Sequence, residues 1–215
     1  MENFDKVVDA CVGKLNREMP YASMSWGEIV DSLGMDCHPD SLRKGAYLLK
    51  KYHDYLQEKR FENIKLDKVY SSPLTRAYKT ALAVKGKKDI EIEKHEGLIE
   101  LNGGIVEGKP FYESFQKMPD LADAWDNHPE DFHPQDGEAM RDAYERIFNT
   151  VLDIASKNRG KTVACTTHGG VTRCLICRLL HNDITKLKDT PWADNTGVAC
   201  FTVDDNNNCT LEFFN

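Results

Sequence analysis

Apolar positions recur along this chain with two rhythms, and the switches between them mark its elements. Residues 2 to 18 carry Phe4, Val7, Val8, Cys11, Val12 and Leu15 at three- and four-residue spacing, which predicts an amphipathic helix with Asn3 or Asp5 as its cap. Residues 20 to 40 show no clean period, and only Trp26 to Leu33 reads as a short helical piece between turn residues. Ser41 to Lys59 places Leu42, Ala46, Leu49 and Leu56 along one face of a further helix. Leu66 to Tyr70 then reads as a short strand, and the turn Ser71 to Arg76 leads into a helix through Ala83. Ile90 to Ile92 is a second strand, followed by a loop, His95 to Gly108, rich in carboxylates and glycines. Residues 109 to 136 interleave prolines with Phe111, Tyr112, Phe115, Trp125 and Phe132, the pattern of an insertion of short helices. Gly137 to Asn158 is a long amphipathic helix, with Met140, Tyr144, Ile147, Val151, Leu152 and Ala155 as its buried stripe. Val198 to Val203 and Cys209 to Phe213 form a hairpin around Asn206, Asn207 and Asn208.

The strongest single pattern is Lys161 to His181. Residues 162 to 167 are an unbroken run of β-branched and small types, which predicts a strand buried on both faces. His168 follows, then Gly169 and Gly170, which let the backbone turn tightly, and from Val171 the apolar positions Val171, Cys174, Leu175 and Leu179 fall at helical spacing. A histidine at the carboxyl end of a strand and beside a helix N-terminus suits an anion site. A histidine before two glycines also serves as a plain turn residue, so this segment does not decide the matter by itself. Alternation of strands and helices implies an α/β fold, a three-layer sandwich with a mostly parallel sheet and helices on both faces.

Composition narrows the chemistry. With 215 residues, 40% apolar and 29% charged, the chain suffices for one sizeable core, and a single domain over 1–215 is expected. The net charge of −7 argues against nucleic acid or an anionic membrane as partner. No apolar run approaches the ~20 residues that span a bilayer, and the N-terminus lacks the order of a signal peptide, which points to a cytoplasmic protein. Seven cysteines without regular spacing read as reduced thiols. Cys174 and Cys177 form a CxxC inside an apolar helix with no second pair to answer it, so neither a metal nor any other cofactor is expected.

Four stretches, in order, resemble the histidine phosphatase superfamily, which includes phosphoglycerate mutases and small phosphomonoesterases. Residues 69 to 81, VYSSPLTRAYKTA, are similar to that family's strand-to-helix turn, and the resemblance assigns Arg76 to phosphate. Residues 98 to 108, LIELNGGIVEG, resemble its proton-donor loop, with Glu100 at the donor position. PQDGEAMRDAYERI, residues 134 to 147, resembles the opening of its long helix, and TTHGGVTRCLICRLL resembles its second histidine segment at His168. The residues agree with this on chemical grounds. An arginine clamps phosphate oxygens, a histidine adds a charge-assisted bond, and a carboxylic acid hands a proton to a leaving alkoxide. Arg76, His168, Gly169 and Ser72 are therefore the expected phosphate ligands, Glu100 and His168 the expected catalytic groups, and Glu107 and Arg173 further candidates. The insertion at 109–136 is expected to cover the pocket and select a phosphorylated small molecule.

The resemblance also implies a nucleophilic histidine in an Arg-His-Gly segment at the end of the first strand. This chain has no such segment. Its place falls near Tyr21, Ala22 and Ser23, behind the polar stretch Lys14 to Glu18, so residues 1–35 are atypical and the first strand is altered or missing. Three readings stay open: a phosphate- or partner-binding protein without turnover, an enzyme with a substitute nucleophile such as His38 or a water activated by His168 or Glu100, and an altered phosphatase whose incomplete sheet strand exchange or a homodimer would repair.

Overall fold

The computed structural model describes residues 2–16, 21, 23–46, 60–108, 111–193 and 197–215. The N-terminal part is helical. Helix α1 spans Glu2–Asn16 and α2 Trp26–Ser32, the latter opened by a reciprocal capping box in which Glu28 N–H donates to the Ser25 hydroxyl and Ser25 N–H to the Glu28 carboxylate. Residues 39–46 are also helical, and the remainder of the helix expected from Ser41, residues 47–59, lies outside the described residues. Ala10 and Cys11, Ile29 and Val30, and Leu42 and Ala46 bury their side chains together in an apolar cluster of their own.

The central sheet has the order β2-β1-β3, with β1 at Lys68–Ser71, β2 at Ile92–Lys94 and β3 at Val163–Thr166, all parallel. Parallel neighbours require crossovers. Helix α3 (Thr75–Lys85) lies between β1 and β2 in the chain, and the long α6 (Met140–Lys157) precedes β3. Alternation along β1 sends Val69 and Tyr70 to opposite faces. Val69 packs with Ala81 and Val84 of α3, whereas Tyr70 joins Met140, Ile147 and Ile154 of α6 and Val171 and Cys174 of α7 (Gly169–His181). The result is the expected three-layer α/β arrangement. Between β2 and α6 lie α4 (Phe111–Lys117) and α5 (Pro119–Asn127), so the insertion does consist of short helices.

One expectation about strands needs correction. β3 is not buried on both faces: Val163 and Ala164 are only half-buried and Cys165 is exposed, and among the described residues β1 is its one strand partner. Its apolar run looked central, but among the described residues nothing pairs with its far edge. The hairpin β4 (Ala199–Val203) and β5 (Cys209–Phe214) forms as expected around Asn207, which takes a positive φ of 65°, yet it makes a separate two-stranded sheet. Where an Arg-His-Gly strand end is expected, residues 21 and 23 lie in turns behind α1.

Candidate functional site

The carboxyl ends of β1 and β3 are held side by side by the bond from Ser72 N–H to the Thr166 carbonyl, 2.9 Å, and Thr166 ties back to α3 through its hydroxyl on the Ala77 carbonyl, 3.0 Å. This brings together residues nearly a hundred positions apart. Arg76, in the first turn of α3, donates Nε–H to Nδ1 of His168 at 3.1 Å, and Nε2 of His168 stands 2.8 Å from the Ser72 hydroxyl. A guanidinium only donates, so Nδ1 is the acceptor, and the neutral ring carries its proton on Nε2 and gives it to Ser72. Both ring nitrogens are thereby engaged. His168 is buried, and burial, reinforced by the charges of Arg76 and Arg146, pushes its pKa down to about 3. Arg76 is half-buried and makes no ion pair among the described residues, and its bond to His168 uses only Nε, which leaves the outer nitrogens of its fork for an anion.

Glu100 completes the group. Its carboxylate accepts N–H bonds from Leu101 at 2.9 Å, Val171 at 3.3 Å and Gly170 at 3.4 Å, so the first amides of α7 face this carboxylate. Burial pushes the Glu100 carboxyl above its ordinary range, against the opposing pull of those amides and of Arg76. A Cβ on Gly170 would come within 2.8 Å of the Glu100 carboxylate, so the glycine permits this approach. The arrangement offers a cation, a neutral imidazole, a hydroxyl and a carboxyl of raised pKa at one end of a parallel sheet, where ligands of α/β folds bind.

The loop that carries Glu100 is fixed by residues that the sequence reading did not select. Arg146 of α6 donates to the Gly97 carbonyl at 2.8 Å and to the Ile99 carbonyl at 3.0 Å, while its Nε and Nη2 grip Glu138 at 2.6 and 2.7 Å. The Thr167 hydroxyl adds a bond to the Leu98 carbonyl at 2.7 Å. The only sequence signal was a Glu and an Arg eight residues apart flanking a helix start, which by itself specifies nothing. Other candidates stand elsewhere. Glu107 accepts from the Gly103 amide and closes its own turn. Arg173 donates to the carbonyls of Thr190 and Lys188 and stacks on Trp192. His38 accepts from the Asp40 amide beside the N-terminal cluster, and His95 accepts from the Gly97 amide and faces Asp153. Cys174 and Cys177 are buried core thiols, the first pushed up to about 12 by burial.

The pattern that defines the histidine phosphatase superfamily (branch 1) matches residues 56–215. The chain belongs to this superfamily. Phosphoserine phosphatase 1 of Hydrogenobacter thermophilus is 26% identical over 195 residues, covering 89% of this chain and 88% of that protein. Among solved structures, Bacillus stearothermophilus YhfR is 31% identical with a TM-score of 0.69, covering 74% of this chain and 79% of that one. A phosphoserine phosphatase of Entamoeba histolytica, solved as a variant in complex with phosphoserine, is 25% identical with a TM-score of 0.64 over 77% of this chain and 81% of its own. These histidine phosphatases support a phosphatase-type function. The matched span begins ahead of β1 and includes Ser72, Arg76, Glu100 and His168, while α1 and α2 lie before it. Among the described residues, no group of three or more His, Cys, Asp or Glu could hold a metal ion, and no helix is long and apolar enough to cross a membrane.

Proposed function

We propose that this histidine phosphatase binds a phosphomonoester, with Arg76, His168 and Ser72 on the phosphoryl group and Glu100 on the leaving oxygen, and that its turnover is impaired. The observation that carries the reading is the Arg76–His168–Ser72 contact. It pairs a half-buried guanidinium, which makes no ion pair among the described residues, with a histidine whose two nitrogens already have partners. A dianion would draw the remaining Arg76 donors, the His168 Nε2–H now given to Ser72, and the Ser72 hydroxyl onto its oxygens. The amides after His168, Gly169 among them, are a weaker part of this reading, because Glu100 already occupies those of Gly170 and Val171.

The same geometry supports the impairment. Covalent phosphoryl transfer needs an imidazole lone pair aimed at phosphorus, in line with the leaving group. His168 has none to offer, since Arg76 Nε–H occupies Nδ1 and Nε2 carries the proton. His38 and His95 have their own partners. His53 lies outside the described residues; a chain without a nucleophilic histidine loses several powers of ten in rate. A second reading, hydrolysis of phosphoserine or a similar ester, is favoured by the activity named for the relative that matches 89% of the chain. It requires a nucleophile opposite Glu100.

Hydrolysis of p-nitrophenyl phosphate between about pH 5 and 8 separates the two. The binding reading expects turnover indistinguishable from the blank, with orthovanadate raising the melting temperature of the parent but not of Arg76→Ala. Turnover that disappears in both Arg76→Ala and His168→Ala would establish hydrolysis instead.

A further inference from the structure

We propose that Trp192 is the wall against which the organic part of a bound phosphomonoester lies, and that it selects esters whose leaving group is flat and apolar. The inference rests on the phosphate-site reading above. Trp192 keeps 48% of its surface open, unusual for so large an apolar side chain. It is nevertheless held in place. The Arg173 guanidinium stacks on its ring at 4.6 Å, and Arg173 is itself tethered by Nε–H to the Thr190 carbonyl at 2.8 Å and by Nη2 to the Lys188 carbonyl at 3.0 Å. On another side Trp125 approaches to 6.1 Å, and Trp125 packs at 4.8 Å on Phe132, one of the most deeply buried residues of the core. An aromatic ring fixed from two directions and open on the rest of its surface is a platform already ordered for contact, so a ligand need not immobilise it.

Its position gives the platform a purpose. A Cβ on Gly169 would meet the Trp192 ring at 3.6 Å, and one on Gly170 would meet the Glu100 carboxylate at 2.8 Å. The two glycines that follow His168 are therefore flanked by the indole on one side and the acid on the other. A phosphoryl group held by the outer donors of Arg76, with its ester oxygen toward Glu100, would direct the carbon skeleton past Gly169 and across the indole. The exposed ring offers dispersion and quadrupole contact and almost no hydrogen bonding, which favours flat, apolar groups over polyhydroxylated ones. The aromatic insertion thus acts on the site through Trp125, by setting Trp192.

Calorimetric titration of the whole protein with methylphosphonate and phenylphosphonate, neither hydrolysable, tests this. The parent is expected to bind the phenyl compound about 3- to 10-fold more tightly, Trp192→Phe to keep most of that preference, and Trp192→Ala to lose it while methylphosphonate affinity changes by less than about twofold. An equal preference in the parent and Trp192→Ala, or no preference in the parent, would overturn the wall while leaving the phosphate site standing. Failure of the parent to bind methylphosphonate at all would overturn the phosphate site, and the wall with it.

Discussion

His168 and Glu100 sit in one site with their proton affinities displaced in opposite directions. The folded His168 holds its proton only below about pH 3, whereas the unfolded chain takes one up near its ordinary value. Between those values the unfolded state binds more protons, so stability rises with pH across that window, by at most about 1.4 kcal/mol per unit from this group. Glu100 runs the other way, because its folded pKa is raised. Its contribution is present below the ordinary carboxyl range and is lost as pH rises through the folded value. Urea unfolding followed from about pH 3.5 to 7 should therefore show a steeper net rise with pH in Glu100→Gln than in the parent, and a flatter one in His168→Gln. Unchanged slopes in both variants would mean that neither group titrates as its surroundings dictate.

At the scale of elements, the two strand-turn-helix units, β1 with α3 and β3 with α7, were legible because each is local. A β-branched run, a turn and a 3.6-residue period all fall within some twenty positions, and they place Ser72, Arg76 and His168 without knowledge of the rest. The place of β3 at the end of the strand order among the described residues was not legible, since that order depends on what pairs across the sheet, and a run such as VACT is equally apolar at a centre or an edge. Nor was the Arg146 clamp, which joins α6 to carbonyls 47 and 49 positions away. This clamp is what turns the loop 97–100 into a support for Glu100. Arg146→Leu leaves the Glu138 carboxylate half-buried without its cation and frees two carbonyls, and should cost about 2–4 kcal/mol in chemical unfolding. It should also weaken phosphate binding, because the released loop no longer holds Glu100 against α7. A loss below about 0.5 kcal/mol would show the clamp to be no more than a surface ion pair.

In the molecule as a whole, the apolar residues divide between the layers around the sheet and the N-terminal cluster of α1, α2 and residues 39–46, with no residue in common. The superfamily match and all the site residues belong to the first group. Ile29→Ala empties a fully buried position of the N-terminal cluster and should destabilise that part by about 2–5 kcal/mol, with phosphate affinity at low temperature unchanged. A matching loss of affinity would show that the N-terminal helices support the site. The site's central test is whether Arg76 and His168 together take a phosphate. Titration calorimetry with inorganic phosphate at pH 7 measures the binding and its stoichiometry. The predicted result is one phosphate per chain, with loss of that binding in Arg76→Ala. Equal binding by the parent and Arg76→Ala, or none by the parent, would contradict it.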